Sequence, residues 1–426
     1  MRSTLSLALA AFALIATAAG TASAADFYVT TAEDVTDGTC DIHCSLREAI
    51  QAANADALTE DTIYLQAASY ELTIPGVDED YGSTGDLDLR TSMKIIGQGP
   101  ERTTIDANTI DRVFDCALGG VDILIRGVTI TGGWSGSQTY PGGSALKINA
   151  ANSTVALETC ILENNGSTLF GTTLGGAIAA QGTNLDIRNS IIRNNSATRG
   201  GAIYITGSDT DVTVERSAIY GNSSAEGKGA IDNTFGTVVI YTSTVSNNYA
   251  GSGNGGVRNH YGTMFIISST LSGNTNAEVV AEYEGGGLVT LTRSIIDGHC
   301  SVEVGDPSAI ETDWYNLESP GDTCRLDLFK DKFNVADAMI GNLDWNGGPT
   351  PTHLPERLSP VVDTSFSPPS TCPGPDQRWI SRPWDGEADP NTTAECDVGA
   401  VERVPNGLFF DPFECGYTTS WSSTVR

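Results

Sequence analysis

The sequence predicts an all-β fold, a parallel β-helix built as a single-stranded solenoid with three strands per coil. Three observations point to it. The chain repeats itself between Ile123 and Cys300, where seven related segments begin 32, 30, 27, 26, 26 and 25 residues apart. Apolar and polar residues alternate within each segment, which is typical of strands. No helical crossover separates the segments, so the period indicates stacked strand units.

Each repeat has apolar residues at its first, third and eighth positions and a small residue at its sixth. The repeats begin at Ile123, Val155, Leu185, Val212, Val238, Met264 and Val289. The sixth position is occupied by Val128, Cys160, Ser190, Ser217, Ser243, Ser269 and Ser294. We expect these side chains to point inward and to stack in ladders about 4.8 Å apart. A β-propeller is the rival, but its blades need four strands and about 40 residues each.

The eleventh position of the repeats predicts a polar ladder. Asparagine holds it in five consecutive repeats, at Asn165, Asn195, Asn222, Asn248 and Asn274. Asparagine suits a turn because it tolerates left-handed backbone, and its amide can bond the Asn one coil away. We therefore expect these side chains to lie in one column along the rod.

An N-terminal capping helix is predicted over residues 46–53. Ser45 followed by Glu48 forms a capping-box pattern. Leu46, Ala49, Ile50 and Ala53 follow the spacing of one apolar helix face. The end of a β-helix is an exposed sheet edge that would recruit other chains, so a helical lid is expected there.

Residues 1–24 predict a cleaved secretory signal peptide. Met1 and Arg2 lead into an apolar run, which ends before the small-residue cleavage pattern of residues 22–24. The run is too short and wrongly flanked to span a membrane, and no later stretch approaches 18 apolar residues. We expect an exported protein, secreted or held at the cell surface or outer membrane.

The charge agrees with export and limits the partners. The chain has 23 basic and 53 acidic residues, a formal charge of −30 at pH 7. Such a surface repels nucleic acid and anionic lipid, but it is compatible with divalent cations. We expect a monomer that binds an extracellular glycan or a surface protein.

Nine cysteines fit an oxidising compartment. Proximity in sequence predicts three disulfides, which pair Cys40 with Cys44, Cys300 with Cys324, and Cys372 with Cys396. Cys160 occupies an inward position, where it is either a buried free thiol or bridged to Cys116. Cys415 is left over.

Several motifs resemble known families of exported proteins. Cys44 to Ile50 spells CSLREAI, and DTIYL, GDLDL and DRVF resemble the rest of the CSLREA N-terminal domain. The GGAI segments and Asn-ended rows resemble the repeats of polymorphic outer-membrane proteins and the pectin-lyase-like superfamily. NGGPTPTH, SPVVD, CPGPDQR and CDVGAVE, between Asn346 and Glu402, resemble the choice-of-anchor Q domain of exported bacterial proteins. The resemblance implies a right-handed β-helix at the cell surface; it implies no activity.

The motifs and repeats divide the chain into five parts. We expect the signal peptide to be followed by the CSLREA cap and first coils over 25–115 and by β-helix repeats over 116–305. The choice-of-anchor Q-like region covers 306–403, and a short tail covers 404–426. The tail is expected to be a loosely packed terminal strand or a sorting element.

One cluster of candidate catalytic residues lies after the paired-glycine corners. Aligning the corner signatures puts Ile203, Ile231 and Arg258 in one inward column. Arg258 would then lie near Asp232 and His260, a base or charge-stabilising set for polysaccharide cleavage. The alternative is that Arg258 leans outward or pairs with Asp232.

An acidic loop is a candidate Ca²⁺ site. Its carboxylates are Asp78, Glu79, Asp80, Asp86 and Asp88. Ca²⁺ takes oxygen ligands, although the spacing is not that of an EF-hand. A solvated acidic loop is the alternative. No other cofactor is indicated.

Two functions fit these observations. The first is a non-catalytic, adhesin-like surface protein that binds glycans or partner proteins. The second is a polysaccharide lyase or glycoside hydrolase that uses Asp232, Arg258 and His260. An enzyme needs a groove with convergent polar groups, whereas a rod-like binder needs only flat repetitive faces.

Overall fold

The computed structural model is a parallel β-helix, as the repeats predict. It describes residues 23–55, 57, 59–77, 79–135, 142–166, 172–282, 286–303, 307–327, 329, 331–364, 372, 374–384 and 394–404. Most of the predicted signal peptide, Asp78, nearly all of the C-terminal tail and Cys415 lie outside these ranges.

Every coil contributes strands to three faces of the rod, and each strand pairs in parallel with the strand one coil later. Face 1 has Leu87–Asp88, Phe114–Cys116, Ile203–Thr206, Ile231–Asn233, Val257–His260, Val279–Glu282 and Cys300–Glu303. Face 2 has Asp26–Tyr28, Asp61–Tyr64, Met93–Ile96, Asp122–Arg126, Asp211–Glu215, Thr237–Tyr241, Thr263–Ile267, Leu288–Thr292 and Ile310–Thr312. The long strands Leu146–Glu158 and Ile178–Arg188 run across both faces and join them into one 18-stranded sheet.

Face 3 is a separate ten-stranded sheet. Its strands are Ser69–Glu71, Thr104–Asp106, Thr129–Thr131, Ile161–Glu163, Ile191–Arg193, Ala218–Tyr220, Thr244–Ser246, Thr270–Ser272, Ile295–Asp297 and Leu317–Ser319. Three two-residue strands form a small additional sheet: Ser196–Ala197, Ser223–Ser224 and Tyr249–Ala250. A 3-10 helix, Pro307–Ala309, precedes the last strand of face 2.

The inward columns form the core of the rod. The middle residues of face 3, such as Ile192 and Ile219, are completely buried. The small-residue column is also a hydrogen-bond ladder, because the backbone N–H of Ser190 donates to the Ser217 hydroxyl at 3.1 Å, and the pattern repeats in the next coils. Small polar side chains are therefore buried here without leaving a donor unpaired.

The helix Leu46–Asn54 covers the first coils, close to its predicted bounds. Ser45 caps it and Glu48 closes the capping box, as expected. Leu46, Ala49, Ile50 and Ala53 are all buried in the core. The guanidinium of Arg47 is buried as well and donates to the Asp34 carboxylate and to three backbone oxygens.

The region after the last coil folds back along the rod. An antiparallel hairpin, Ile340–Asp344 with Thr352–Pro355, belongs to this region. It packs on the outer side of face 3, where a second apolar cluster forms from Ile295, Leu317, Ala338, Val361, Val362 and Val398.

Polar contacts also hold the C-terminal region on face 3. The Thr244 hydroxyl donates to Gln377 Oε1 at 2.6 Å, and Gln377 Nε2 donates to the Ser217 carbonyl. Within the C-terminal region itself, the buried carboxyls of Asp376, Asp397 and Glu402 accept several backbone N–H groups.

The cysteines pair as predicted, with disulfides Cys40–Cys44, Cys300–Cys324 and Cys372–Cys396. Cys116 and Cys160 are buried free thiols, so they do not bridge each other. Burial raises the pKa of both thiols to about 12, which keeps them protonated. The three disulfides fit an extracellular or oxidising environment. No helix within the described ranges is long and apolar enough to cross a membrane.

Candidate functional site

Strand register on face 1 brings the candidate residues together, but not in the column that we expected. Asp232 pairs with Arg258, while Ile231 pairs with Val257. The prediction that Arg258 replaces an inward Ile is therefore wrong by one position. Val257 takes the inward place and is completely buried. An inward Arg258 would place a charge in the apolar core without a partner.

Arg258 is held between two carboxylates. Its Nη1 donates to Asp232 Oδ1 at 2.5 Å, and its Nε donates to Glu282 Oε1 at 2.6 Å. Arg199 contacts the other oxygen of Asp232, with Nη2 2.9 Å away. Lys228 Nζ lies 3.6 Å from Glu282 Oε1. The alternative prediction, that Arg258 pairs with Asp232, matches this geometry.

The protonation states follow from burial and these pairs. Burial opposes the charge of Arg258, but Glu282 and Asp232 outweigh it, so its pKa is raised. Burial raises the pKa of Asp232 even though Arg258 and Arg199 lower it. Both Asp232 oxygens accept guanidinium donors, and the side chain is wholly buried. Arg258 is already protonated, and Asp232 is out of reach of a substrate because its side chain is wholly buried.

His260 lies at the edge of this cluster. Its Nε2 is 3.4 Å from Glu282 Oε2, and about a fifth of the side chain is exposed. Burial lowers the pKa of His260, and nearby Arg258 adds to this effect, while Glu282 opposes it. The imidazole is therefore neutral at neutral pH.

An exposed aromatic pair adjoins His260. The rings of Phe235 and Tyr261 stack with centroids 5.1 Å apart, and His260 lies against Tyr261 at 3.7 Å. Phe235 is 47% exposed and Tyr261 is 37% exposed. We give the name charged–aromatic surface to the exposed rings of Phe235 and Tyr261 together with the partly exposed side chains of Arg199, Lys228 and His260.

The aromatic pair is positioned by a second Asn ladder that the sequence analysis missed. Asn233 Nδ2 donates to Asn259 Oδ1 at 2.7 Å and to the Gly236 carbonyl. These asparagines lie just before two turns that each end in an aromatic residue and a glycine. The signal was present in the sequence as Asn-x-aromatic-Gly, repeated at residues 233–236 and 259–262.

The predicted Asn column is present and ends on a carboxylate. Each amide donates to the next Asn Oδ1 at 2.8–3.0 Å, from Asn165 through Asn195, Asn222 and Asn248 to Asn274. Asn274 then donates to Glu278. Burial raises the pKa of Glu278 to about 8, although its hydrogen bonds to Asn274 lower it. This column is structural, because its side chains are buried.

The acidic loop does not form a calcium site among the described residues. Glu79 accepts the backbone N–H groups of Tyr81, Ser83 and Thr84, and Asp80 is exposed. Asp86 pairs with Arg112 at 3.0 Å, and Asp88 accepts the Gly82 N–H. Within the part of the chain that is described, no group of three acidic, His or Cys side chains is arranged to hold a metal ion. Asp78 lies outside that part.

Comparison with known proteins shows no family for this chain. No family model matches the sequence and no curated protein matches it, so the CSLREA and choice-of-anchor Q assignments stay resemblances. Among solved structures, the crystal structure of the pectate lyase Pel9A is similar, with a TM-score of 0.47 and 13% identity. The alignment covers 90% of this chain and 97% of that chain. A match of this strength says nothing about activity.

Proposed function

We propose that this protein is an exported, non-catalytic β-helix protein that binds glycans through the charged–aromatic surface. The domain division and signal peptide expected from the sequence belong to this proposal. The three disulfides support export because disulfides persist in oxidising compartments.

One observation carries the proposal: contacts link exposed aromatic rings to partly exposed cations across neighbouring coils. Phe235 stacks on Tyr261, Tyr261 contacts His260, and His260 reaches Glu282. Glu282 then joins Lys228 to Arg258. Aromatic rings supply apolar contact with a polar edge, and the cations donate hydrogen bonds to hydroxyl or carboxylate oxygens.

The burial pattern favours binding over catalysis. The side chains of Asp232, Arg258 and Glu282 are 0%, 5% and 14% exposed, whereas those of Arg199 and Lys228 are 24% and 32% exposed. A ligand thus meets donors and rings, while the acids serve to hold the cations in place. A pair of free carboxyls at glycosidase spacing is not formed by Asp232 and Glu282, since Arg258 lies between them.

A glycan array on the purified protein tests the proposal. We expect binding to at least one glycan class, weakened about tenfold in Phe235→Ala and Tyr261→Ala, since one stacked ring contributes about 1 kcal/mol or more. Tyr249→Ala is the matched control because Tyr249 is equally aromatic and exposed but lies on the small sheet. Unchanged binding in the Phe235 and Tyr261 variants would place the glycan elsewhere.

A polysaccharide lyase or hydrolase is the second candidate, and His260 favours it. A neutral, partly exposed imidazole is the form that accepts a proton. If His260 is such a base, ultraviolet-absorbing unsaturated products or new reducing ends will form, and His260→Ala will abolish them.

A further inference from the structure

The C-terminal hairpin contains a cavity that the charged–aromatic surface does not use. Its volume is about 500 Å³, within the range of small-molecule sites. It lies between the first strand of the hairpin and the turn that follows the second strand. Its polar lining residues are Asn342, Asp344, Asn346, Glu356, Arg357 and Arg403.

A break in the hairpin register accompanies the cavity. Ile340 pairs with Pro355 and Leu343 pairs with His353, so residues 341 and 342 lie opposite Leu354 alone. Such a bulge redirects side chains, and bulges are over-represented beside functional sites. The bulge leaves Asn342 exposed toward solvent at the cavity.

The walls of the cavity are fixed in place. The buried His353 ring bonds the Gly341 carbonyl through Nδ1 at 2.7 Å and the Ser246 hydroxyl on face 3 through Nε2 at 2.8 Å. Asn346 Nδ2 donates to the Thr352 carbonyl at 2.7 Å, which closes the hairpin turn. The Arg403 guanidinium donates to the Pro355 carbonyl. Because these bonds already hold the backbone around the cavity, binding of a ligand costs little conformational entropy of the protein.

The lining chemistry matches a hydroxyl-rich ligand. Asn342 and Asp344 are two residues apart on one strand and lie on the same side of it. A carboxamide and a carboxylate together donate to and accept from neighbouring hydroxyls, and Arg357 adds donors across the cavity. Leu354 and Pro355 offer apolar contact for the C–H groups of a sugar ring.

The charges of the cavity lining balance, because Asp344 and Glu356 are matched by Arg357 and Arg403, so the lining favours an uncharged ligand over a strongly ionic one. Trp345, which stands in sequence between Asp344 and Asn346, is 54% exposed. We propose that this cavity binds a neutral saccharide unit, at a site separate from the charged–aromatic surface and not dependent on the function proposed for that surface.

Saturation-transfer NMR on the full mature protein tests the site. The probes are glucose, galactose and N-acetylglucosamine, with glucuronate and glycylglycine as charged comparisons. We expect saturable transfer to at least one neutral sugar, at least about tenfold weaker in Asp344→Ala because a hydrogen bond to a charged group is lost. Asn342→Ala, which removes a solvent-exposed side chain, is expected to weaken binding several-fold.

The controls separate this site from the other one. Glu311→Ala removes an exposed acid on the rod and is expected to change nothing. Transfer that Asp344→Ala weakens is assigned to the cavity, and transfer that Phe235→Ala weakens is assigned to the charged–aromatic surface, so failure here and failure of glycan binding at that surface are distinguishable. Binding of glycylglycine alone, no transfer to any neutral sugar, or transfer that persists in both cavity variants would each overturn the proposal.

Discussion

Arg258 is the central residue of the buried charged cluster. Its guanidinium bridges Asp232, which is wholly buried, and Glu282, which is mostly buried. A buried pair gives little net stability over an apolar replacement, but removing one partner leaves an uncompensated charge.

Arg258→Ala is therefore expected to destabilise the protein by about 3–5 kcal/mol. Urea unfolding measures the change. Arg188→Ala is the matched control, because Arg188 also pairs with carboxylates but is 40% exposed. Its loss should cost less than about 1 kcal/mol. Equal effects of the two substitutions would contradict the view that Asp232 depends on Arg258.

Sequence reasoning failed at this residue for a physical reason. Paired glycines mark the corners, and we aligned Gly255–Gly256 with the earlier glycine pairs. In the structure the backbone N–H of Ala230 donates to the Gly256 carbonyl, and Val257 follows as the inward residue. Polarity alone would have assigned Val257, not Arg258, to the inward column. A valine side chain can be buried in an apolar core, whereas a guanidinium needs a partner there.

The N-terminal helix shows why the CSLREA-like segment has its sequence. Ser45 and Glu48 cap the helix, Leu46, Ala49 and Ile50 fill the end of the core, and Arg47 ties the loop of residues 82–86 to the helix. This element was predictable because capping and apolar spacing are local signals. The contacts of Arg47 were not, because they depend on residues 35 to 39 positions away.

Loss of the lid is expected to expose the end of the rod. Ser45→Ala should cost about 1 kcal/mol, measured by thermal unfolding, since one capping bond is lost. Ile50→Asp should cost more and promote end-to-end association, measured by light scattering, because the first sheet edge becomes accessible. A monodisperse Ile50→Asp protein with an unchanged melting temperature would show that the helix does not protect this end.

The asparagine column is expected to contribute to the stability of neighbouring coils. Asn222→Ala removes bonds to Asn248 and to the Ile192 carbonyl and leaves buried groups unpaired. We expect a loss of about 1–3 kcal/mol in urea unfolding. Asn184→Ala, at an exposed position on face 2, serves as the control and should change little. A neutral Asn222→Ala would show that the column is dispensable.

At the scale of the whole molecule, the C-terminal region is a long strap along face 3. The motifs that resemble the choice-of-anchor Q domain have physical roles in this strap. Gln377 accepts a hydrogen bond from Thr244 on the rod, and the buried carboxyls of Asp376 and Glu402 accept backbone N–H groups, that of Asp397 among them. The repeat period of the sequence predicts the rod, but it does not predict that the C-terminal strap packs on face 3. A signal did exist, since Ala218, Thr244, Thr270 and Ile295 form an outward column of uncharged residues that the strap buries.

Buried carboxyls are expected to make the protein less stable at alkaline pH. Burial is the main cause that raises the pKa of Asp86 and Glu278 to about 8, and of Asp88 and Glu402 to about 7. The folded state thus binds these protons more tightly than the unfolded state, and stability is lost as pH rises toward the folded pKa values. His260 and His353, whose pKa values are lowered, act in the opposite direction below about pH 6.5.

The melting temperature should therefore fall as pH rises from about 6 to about 8.5. The chain's charge of −30 at pH 7 adds repulsion in the same direction. Glu278→Gln should reduce the size of this fall, because one of the responsible groups no longer titrates. A melting temperature that rises across this interval would contradict the assignment of protonated buried carboxyls.

The most direct test of the central claim, binding without cleavage, is one measurement on one polymer. A polysaccharide that binds the purified protein is incubated with it, with and without Ca²⁺, and its chain length is followed by size-exclusion chromatography together with ultraviolet absorbance. We predict that the polymer stays bound, keeps its length and yields no unsaturated products, because Arg258 and Asp232 hold each other. Shortened chains, lost again in His260→Ala, would contradict the claim.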